Sequence, residues 1–480
     1  MPNTLAEWLT YLESLHPKTI ALGLERVAQV KQRLNLQPDF PIIIVGGTNG
    51  KGSVCAMLEA ILHAAGYRVG CYTSPHLLDY NERVRIAKQQ VTDAELCASF
   101  AQIEQVRGDI ALTYFEFGTL AAMQCFIEHK VDVAVLEVGL GGRLDAVNVF
   151  DADCSVVTSI DIDHVDYLGD TREQIGFEKA GIFRKGRVAI CADSDVPQTL
   201  RKHAQDIGAE LWCIGSEFGF HLPSPAGGIT SDLADVSGRP SRMASSSIRG
   251  IEGEGSGGET HVVSISKTLS PTHLPPAGEG LLQGQWNFYS KMGVRSSLPF
   301  PALRGAFQLH NASAVLAALD ALQDKLPVSM GIVRRGLVEV ELAGRFQFVP
   351  GRPQLILDVA HNPHAARSLA QNLANMPPAK TIAVFSMLKD KDISGVVQAL
   401  DAQVDVWLVA GIDAPRGATT AELVQVLQNA RVRGEVTPCI SIADALHEAS
   451  NRADENDRIA AFGSFYTVAE VMRVRGLRGG

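Results

Sequence analysis

The tightest constraint on this chain is the segment Ile42–Ser53, IIIVGGTNGKGS. Its run of β-branched residues reads as a buried strand, and the glycine-rich turn behind it delivers Lys51 and the Ser53 hydroxyl to the start of a helix. That order builds a nest for phosphate. Glycines let the backbone approach closely, amides point inward, the lysine supplies charge and the hydroxyl can hold Mg²⁺. Val54, Met57, Leu58, Ile61 and Leu62 share one helical face, and Gly66 marks the stop. The usual phosphate loop has a glycine, four residues, then Gly-Lys-Ser/Thr. Here Val45 stands where the first glycine belongs, and Gly52 separates Lys51 from Ser53. The segment predicts a nucleotide site of variant type rather than an ordinary strand-to-helix turn.

The surrounding pattern predicts an α/β fold. Short apolar runs at 42–45, 69–72, 133–138, 155–160, 188–191 and 210–214 alternate with helical periodicity, which implies a largely parallel sheet flanked by helices. Ligands of such sheets gather at the carboxyl ends of the strands. From about Phe220 to Gly284, Gly, Ser and Pro dominate, so a surface insertion without catalytic role is expected there. Order resumes at Trp286, and a helix is expected over 309–323. A second alternating series follows, with strands at 355–359, 381–386, 404–410 and 458–463. A chain of 480 residues exceeds one ordinary core. The expected division is a P-loop-containing, parallel-sheet ATPase domain at 1–348, a hinge at 349–353, and a smaller Rossmann-like α/β domain at 354–480.

Bulk properties exclude several function classes. A formal net charge of −10 argues against a nucleic-acid binder, while a local basic pocket still suits a small anion. The eight cysteines include no C-x-x-C pair, so a reducing compartment without disulfides or zinc is expected. Leu5, Trp8, Leu9, Leu12 and Leu15 form an amphipathic pattern interrupted by Glu7 and Glu13, unlike a signal peptide, and no uncharged apolar run reaches membrane-spanning length. A cytoplasmic protein is expected from these features, and no exposed heptad pattern argues against a monomer.

Several polar residues sit where chemistry is expected. Glu137 ends the apolar run VAVLEV, where a carboxylate is costly unless a cation or hydrogen bonds compensate; Mg²⁺ and a salt bridge are the two candidates. His164 lies among Asp161, Asp163 and Asp166 behind the run at 155–160, which makes it a metal candidate. By composition alone Lys179 reads as a solvated lysine on the C-terminal side of a helix. Asp358 ends LILDV and precedes Ala-His-Asn-Pro, with Pro363 opening a helix.

Nine motifs occur in order: GTNGKGS (47–53), SPHL (74–77), TYFEFGTL (113–120), LEVGLGGRLDAVN (136–148), DHVDYLG (163–169), EKAGIFR (178–184), LAGRFQ (342–347), LDVAHNPHA (357–365) and GSFYTV (463–468). Together they resemble the bacterial bifunctional dihydrofolate synthase/folylpolyglutamate synthase family, relatives of the Mur peptidoglycan ligases. The resemblance spans nearly the whole chain outside about 220–284, and Ser53 in place of the more usual threonine keeps the hydroxyl.

The resemblance implies ligation of L-glutamate to dihydropteroate and to reduced folates, with ATP and two Mg²⁺ ions as cofactors and through an acyl-phosphate intermediate. It implies that Asn49, Gly50, Lys51, Gly52 and Ser53 wrap the triphosphate, with Asn311, Arg345 and Asp358 as further ATP contacts. Ser74, Glu137 and His164 match the family's magnesium ligands, and Lys179 matches a lysine carboxylated on its ε-nitrogen; a carbamate is an anion, so it can face a second metal ion. Thr19, Ile20, Ala21 and Leu22, with Thr113, Tyr114, Phe115 and Glu116 and with Leu144, Asp145 and Ala146, match the dihydropteroate-binding segments, where Phe115 offers a face to the flat ring. His361 and Ser464 are assigned to orienting the incoming glutamate. The catalytic set is then Lys51, Glu137, His164, Lys179 and His361. A monofunctional folylpolyglutamate synthase and a nucleotide switch that forms no bond are the alternatives.

Overall fold

The computed structural model describes residues 1–16, 20–223, 284–305 and 307–478. Thr19 and almost all of the 220–284 segment lie outside the described residues.

Strand β1 (Ile42–Gly46) explains the architecture, because its side chains alternate between two cores. Ile42 and Ile44 point into one, and Ile43 and Val45 into the other. Such a strand is stable only with both faces covered. On one face lie the helices Leu5–Leu15, Glu25–Arg33, Asp93–Arg107 and Tyr114–Glu128. On the other lie Lys51–Ala64, Gln308–Ala321 and Met330–Glu339. The remaining strands of this sheet are β2 (Val69–Tyr72), β3 (Val84–Ile86), β4 (Gln89–Gln90), β5 (Val133–Glu137), β6 (Cys154–Val157), β7 (Val188–Cys191) and β8 (Glu210–Cys213). Their spatial order is β4-β3-β2-β5-β1-β6-β7-β8. All pairs are parallel except β2–β3 and β3–β4, an antiparallel edge that the sequence pattern did not disclose.

The expected strand at 155–160 stops at Val157. The next two residues turn out of the sheet because their hydroxyls bind the phosphate loop. Thr158 Oγ1 donates to Asn49 O at 2.6 Å, and Asn49 N donates to Ser159 Oγ at 3.0 Å.

Three strands flank the 220–284 segment: β9 (Phe218–His221), β10 (Gln285–Ser290) and β11 (Gly293–Pro299). They form a separate antiparallel sheet in the order β11-β10-β9. Its Phe218, Trp286, Phe288 and Leu298 are buried in the same core as Gln308–Ala321. Trp286, where order is expected to resume, anchors this small sheet.

The second domain is a six-stranded sheet of β12 (Gln347–Val349), β13 (Gln354–Leu357), β14 (Thr381–Phe385), β15 (Val406–Val409), β16 (Glu435–Pro438) and β17 (Arg458–Phe462). The order is β12-β13-β17-β14-β15-β16, with only β12–β13 antiparallel. Alternation again feeds two cores, Ala383 and Phe385 on one side and Ile382 and Val384 on the other. Because Val349 pairs with Leu355, residues 349–353 join two strands of one hairpin. The expected hinge there is corrected: the link between the two sheets lies upstream, at 340–346, between the helix ending at Glu339 and β12. Among the described residues no helix is long and apolar enough to cross a membrane.

Candidate active site

A cavity of about 970 Å³ opens where the carboxyl ends of β5, β1 and β6 meet the carboxyl end of β13. Asn49, Gly50, Lys51, Gly52 and Ser53 form one wall. Gly50 has φ +88°, and a Cβ there would lie 2.6 Å from Asn311 Oδ1, so both the turn and the close approach require glycine. Lys51 Nζ donates to Gly47 O at 3.0 Å and to Thr48 O at 3.2 Å, which holds the cation over its own loop at the amino end of Lys51–Ala64. Free amides, a helix amino terminus and a tethered ammonium suit a polyphosphate.

Ser74, Glu137, His164 and Lys179 all line this cavity. Glu137 is buried and accepts from Ser74 N at 3.1 Å, and among the described residues it makes no ion pair within 4 Å. Burial raises its pKa, against the pull of Lys51. Of the two compensations weighed for Glu137, the salt bridge is therefore not what the structure provides, and the site retains acceptor capacity for a hard cation. No three His, Cys, Asp or Glu side chains gather as a metal cluster among the described residues. An ion held here would draw on a serine hydroxyl and on Lys179 as well as on Glu137 and His164.

Lys179 is only 2% exposed, which corrects its reading as a solvated lysine. Burial, and then the Lys51 ammonium, push its pKa down to about 7. Among the described residues no hydrogen bond or ion pair holds its amine. A buried amine that is partly uncharged near neutrality is chemically suited to carbamate formation. His164 has φ +53°, outside the usual range for a side chain of its kind, and its amide donates to Asp163 Oδ1 at 2.8 Å. Burial lowers its pKa to about 4, so the ring is neutral, and its Nε2 lies 3.3 Å from Lys391 Nζ.

Asn311 lines the cavity beside Gly50, and Arg345, Asp358, His361 and Ser464 line it from the side of the second sheet. Asp358 accepts from Phe346 N at 2.9 Å and Ala360 N at 2.8 Å, and burial raises its pKa to about 6. Arg345 lies beside it, its guanidinium 5.4 Å from the Phe465 ring centre. His361 Nδ1 is 2.8 Å from Val359 O, which fixes the proton on Nδ1 and leaves Nε2 as an acceptor. Ser464 caps the helix Phe465–Val474, accepting from Thr467 N at 3.0 Å, so its hydroxyl already has a structural task.

The segments assigned to dihydropteroate do not line this cavity, but they meet one another behind its Gly139–Gly141 wall. Gly23 N donates to Leu144 O at 3.2 Å, and Arg26 pairs with Glu116 at 3.0 Å while donating to Ala21 O at 2.6 Å. Ile20 and Leu22 belong to that same short segment. Phe115 packs on Gly139, where a Cβ would lie 2.7 Å from its ring. Asp145 accepts from Leu140 N at 2.8 Å and caps the turn Ala146–Val149; burial raises its pKa to about 7. Thr113 and Glu116 form the capping box of Tyr114–Glu128, so their side chains also shape the fold.

Sequence reasoning missed Lys391, which reads as one charge in the KDKD run yet reaches Asp163 Oδ1 at 2.7 Å in the cavity. Its place just past the carboxyl end of β14 was the available signal. It also missed His364, whose Nδ1 lies 2.8 Å from Asn49 Nδ2.

Comparison with known proteins agrees with this arrangement. The Mur ligase middle domain matches residues 45–220, and the Mur ligase glutamate ligase domain matches residues 344–465. A dihydrofolate synthase/folylpolyglutamate synthase of Escherichia coli K12 is 41% identical, covering 98% of this chain and 96% of its own. The structure of E. coli FolC in complex with DHPP and ADP superposes with a TM-score of 0.82 at 40% identity, covering 99% of each chain. The Yersinia pestis bifunctional folylpolyglutamate synthase/dihydrofolate synthase complexed with AMPPNP and Mn ion gives 0.81 at 41% identity, covering 99% of this chain and 100% of its own. With two parallel sheets sharing one phosphate-binding cavity, and with that likeness along its whole length, the chain belongs to the dihydrofolate synthase/folylpolyglutamate synthase family of Mur ligases.

Proposed function

We propose that this protein is an ATP-dependent ligase that joins L-glutamate to dihydropteroate and to the γ-carboxylate of reduced folates. One observation carries the reading: a single cavity joins a phosphate loop, a buried carboxylate with spare acceptor capacity and a buried lysine that has no partner among the described residues to polar groups of a second domain. The segments 20–22, 113–116 and 144–146, packed together behind the Gly139–Gly141 wall, form the shelf for the pterin acid.

The chemistry follows from the charges. A carboxylate oxygen of the pterin substrate attacks the γ-phosphorus of ATP, the bond to the ADP oxygen breaks, and an acyl phosphate forms. The glutamate amine then attacks the acyl carbon, phosphate leaves with the bonding pair, and the amine gives up a proton. Lys51 and the loop amides stabilise charge on the phosphates. Ser74, Glu137, His164 and carboxylated Lys179 would hold Mg²⁺, which supplies charge neutralisation between the two anions. Asn311, Arg345 and Asp358 contact the nucleotide, and His361, neutral with Nε2 free, accepts a hydrogen bond from the amine. Rotation about 340–346 brings the second domain down and excludes water, which the acyl phosphate requires. A cytoplasmic location is part of the proposal, supported by eight free cysteines.

The test is direct. Purified protein with ATP-Mg and labelled glutamate should convert dihydropteroate to dihydrofolate and extend a reduced folate. Extension without dihydrofolate would leave only the folylpolyglutamate activity, and ATP turnover indifferent to both substrates would indicate a nucleotide switch.

A further inference from the structure

The two domains touch across the cavity through a small set of polar contacts. Lys391 Nζ, from the loop behind β14, donates to Asp163 Oδ1 at 2.7 Å. Asn362 Nδ2 donates to Asp163 Oδ2 at 3.1 Å and to Asn49 Oδ1 at 3.2 Å. Asn49 Nδ2 returns a bond to Asn362 Oδ1 at 3.2 Å. The side chains of Lys391 and Asp163 keep only 9% and 11% of their exposure.

We propose that Lys391 and Asp163 form a clasp that sets how the second domain seats on the phosphate loop, and that this seating keeps water from the acyl phosphate while the amine attacks. The inference rests on the ligase reading above. Both charges come from different domains, so the pair is desolvated only when the domains are docked. Desolvation consumes most of the Coulomb gain, which makes such a pair a weak glue. A wrong seating, however, leaves one charge buried alone, and that is strongly disfavoured. The pair therefore selects one docked arrangement over its neighbours. Asn362, shared between Asp163 and Asn49, ties the same arrangement to the loop that holds the nucleotide. Lys391 is thus a positioning residue.

The experiment measures ADP released per amide bond formed by the full chain, with dihydropteroate, ATP-Mg and glutamate. The unmodified protein should release close to one ADP per amide. Lys391→Met should raise that ratio by about threefold or more, because water competes for the acyl phosphate. Lys391→Arg should restore coupling. The double variant Lys391→Met/Asp163→Asn leaves no lone buried charge, so it removes the folding liability of the single change and should show the same leak. An unchanged ratio in the double variant would overturn the clasp. So would a rise confined to KM for glutamate with coupling intact, which would make Lys391 a carboxylate ligand instead. Absence of amide formation by the unmodified protein would overturn the ligase reading itself.

Discussion

The two walls of the cavity are built alike and equipped differently. Each is the carboxyl end of a parallel sheet, and each presents an acid at the end of an apolar strand, Glu137 behind β5 and Asp358 behind β13. Glu137 receives one amide hydrogen bond, whereas Asp358 receives two. Among the described residues Lys179 on the first wall has no hydrogen-bond or ion-pair partner, while Ser464 on the second caps a helix and His361 is bonded to Val359 O. The first wall leaves Glu137 and Lys179 with few protein partners among the described residues. The second spends its polar groups on holding its own loops in shape. Catalytic power should accordingly be concentrated on the first wall.

Replacing Lys51 by Met tests that contrast most severely. Ligation should fall by about 10²–10³-fold, since a cation aimed at the transferring phosphoryl group is lost, and steady-state kinetics would show it. A fall below tenfold would break the contrast at its strongest point. Lys179→Ala should also cripple ligation and recover in part with added short carboxylic acids, which replace the carbamate oxygens; activity unchanged by the substitution would remove the carbamate. The pH dependence has a fixed sign. Carbamate needs the uncharged amine, and burial lowers the Lys179 pKa to about 7. Reactivation of CO₂-depleted protein by bicarbonate should therefore rise with pH through about 7; for an ordinary lysine the rise would come near pH 10.4.

Ser464→Ala probes the second wall. Losing the cap should lower stability by about 1 kcal/mol in a denaturant melt while KM for glutamate stays within about twofold. A tenfold rise in that KM would instead make Ser464 a glutamate ligand and weaken the contrast. The smallest effect is expected far from both walls. His221 pairs with Asn287 across β9 and β10, so the chain leaves and re-enters at neighbouring points. Replacing 225–280 by a short turn should leave turnover nearly intact, and loss of soluble protein on that change would show that the segment supports the fold.

Much of the first wall was legible in the sequence because strand, glycine turn and lysine are contiguous, so local chemistry alone identifies the phosphate loop. The run of β-branched residues likewise gave away a strand buried on both faces. Contacts made by distant residues were harder to see. Lys179 and Lys391 have charged sequence neighbours, and nothing local distinguishes a buried lysine from a solvated one. The sheet of β9, β10 and β11 escaped because about sixty intervening residues, rich in Gly, Ser and Pro, separate its first two strands. The hinge was misplaced since Pro-Gly-Arg-Pro marks a tight turn equally well within a hairpin and between domains.

The central place of β1 has a mechanical consequence. β5 and β6 flank it directly, so Glu137 at the end of β5 and the segments carrying Lys51 and His164 behind β1 and β6 spring from three adjacent strands in the middle of an eight-stranded sheet. That is where backbone amides open least often and where small temperature changes disturb geometry least. The reactive centre is in effect bolted to the stiffest plank of the molecule, and the neighbouring lobe can swing without blurring it.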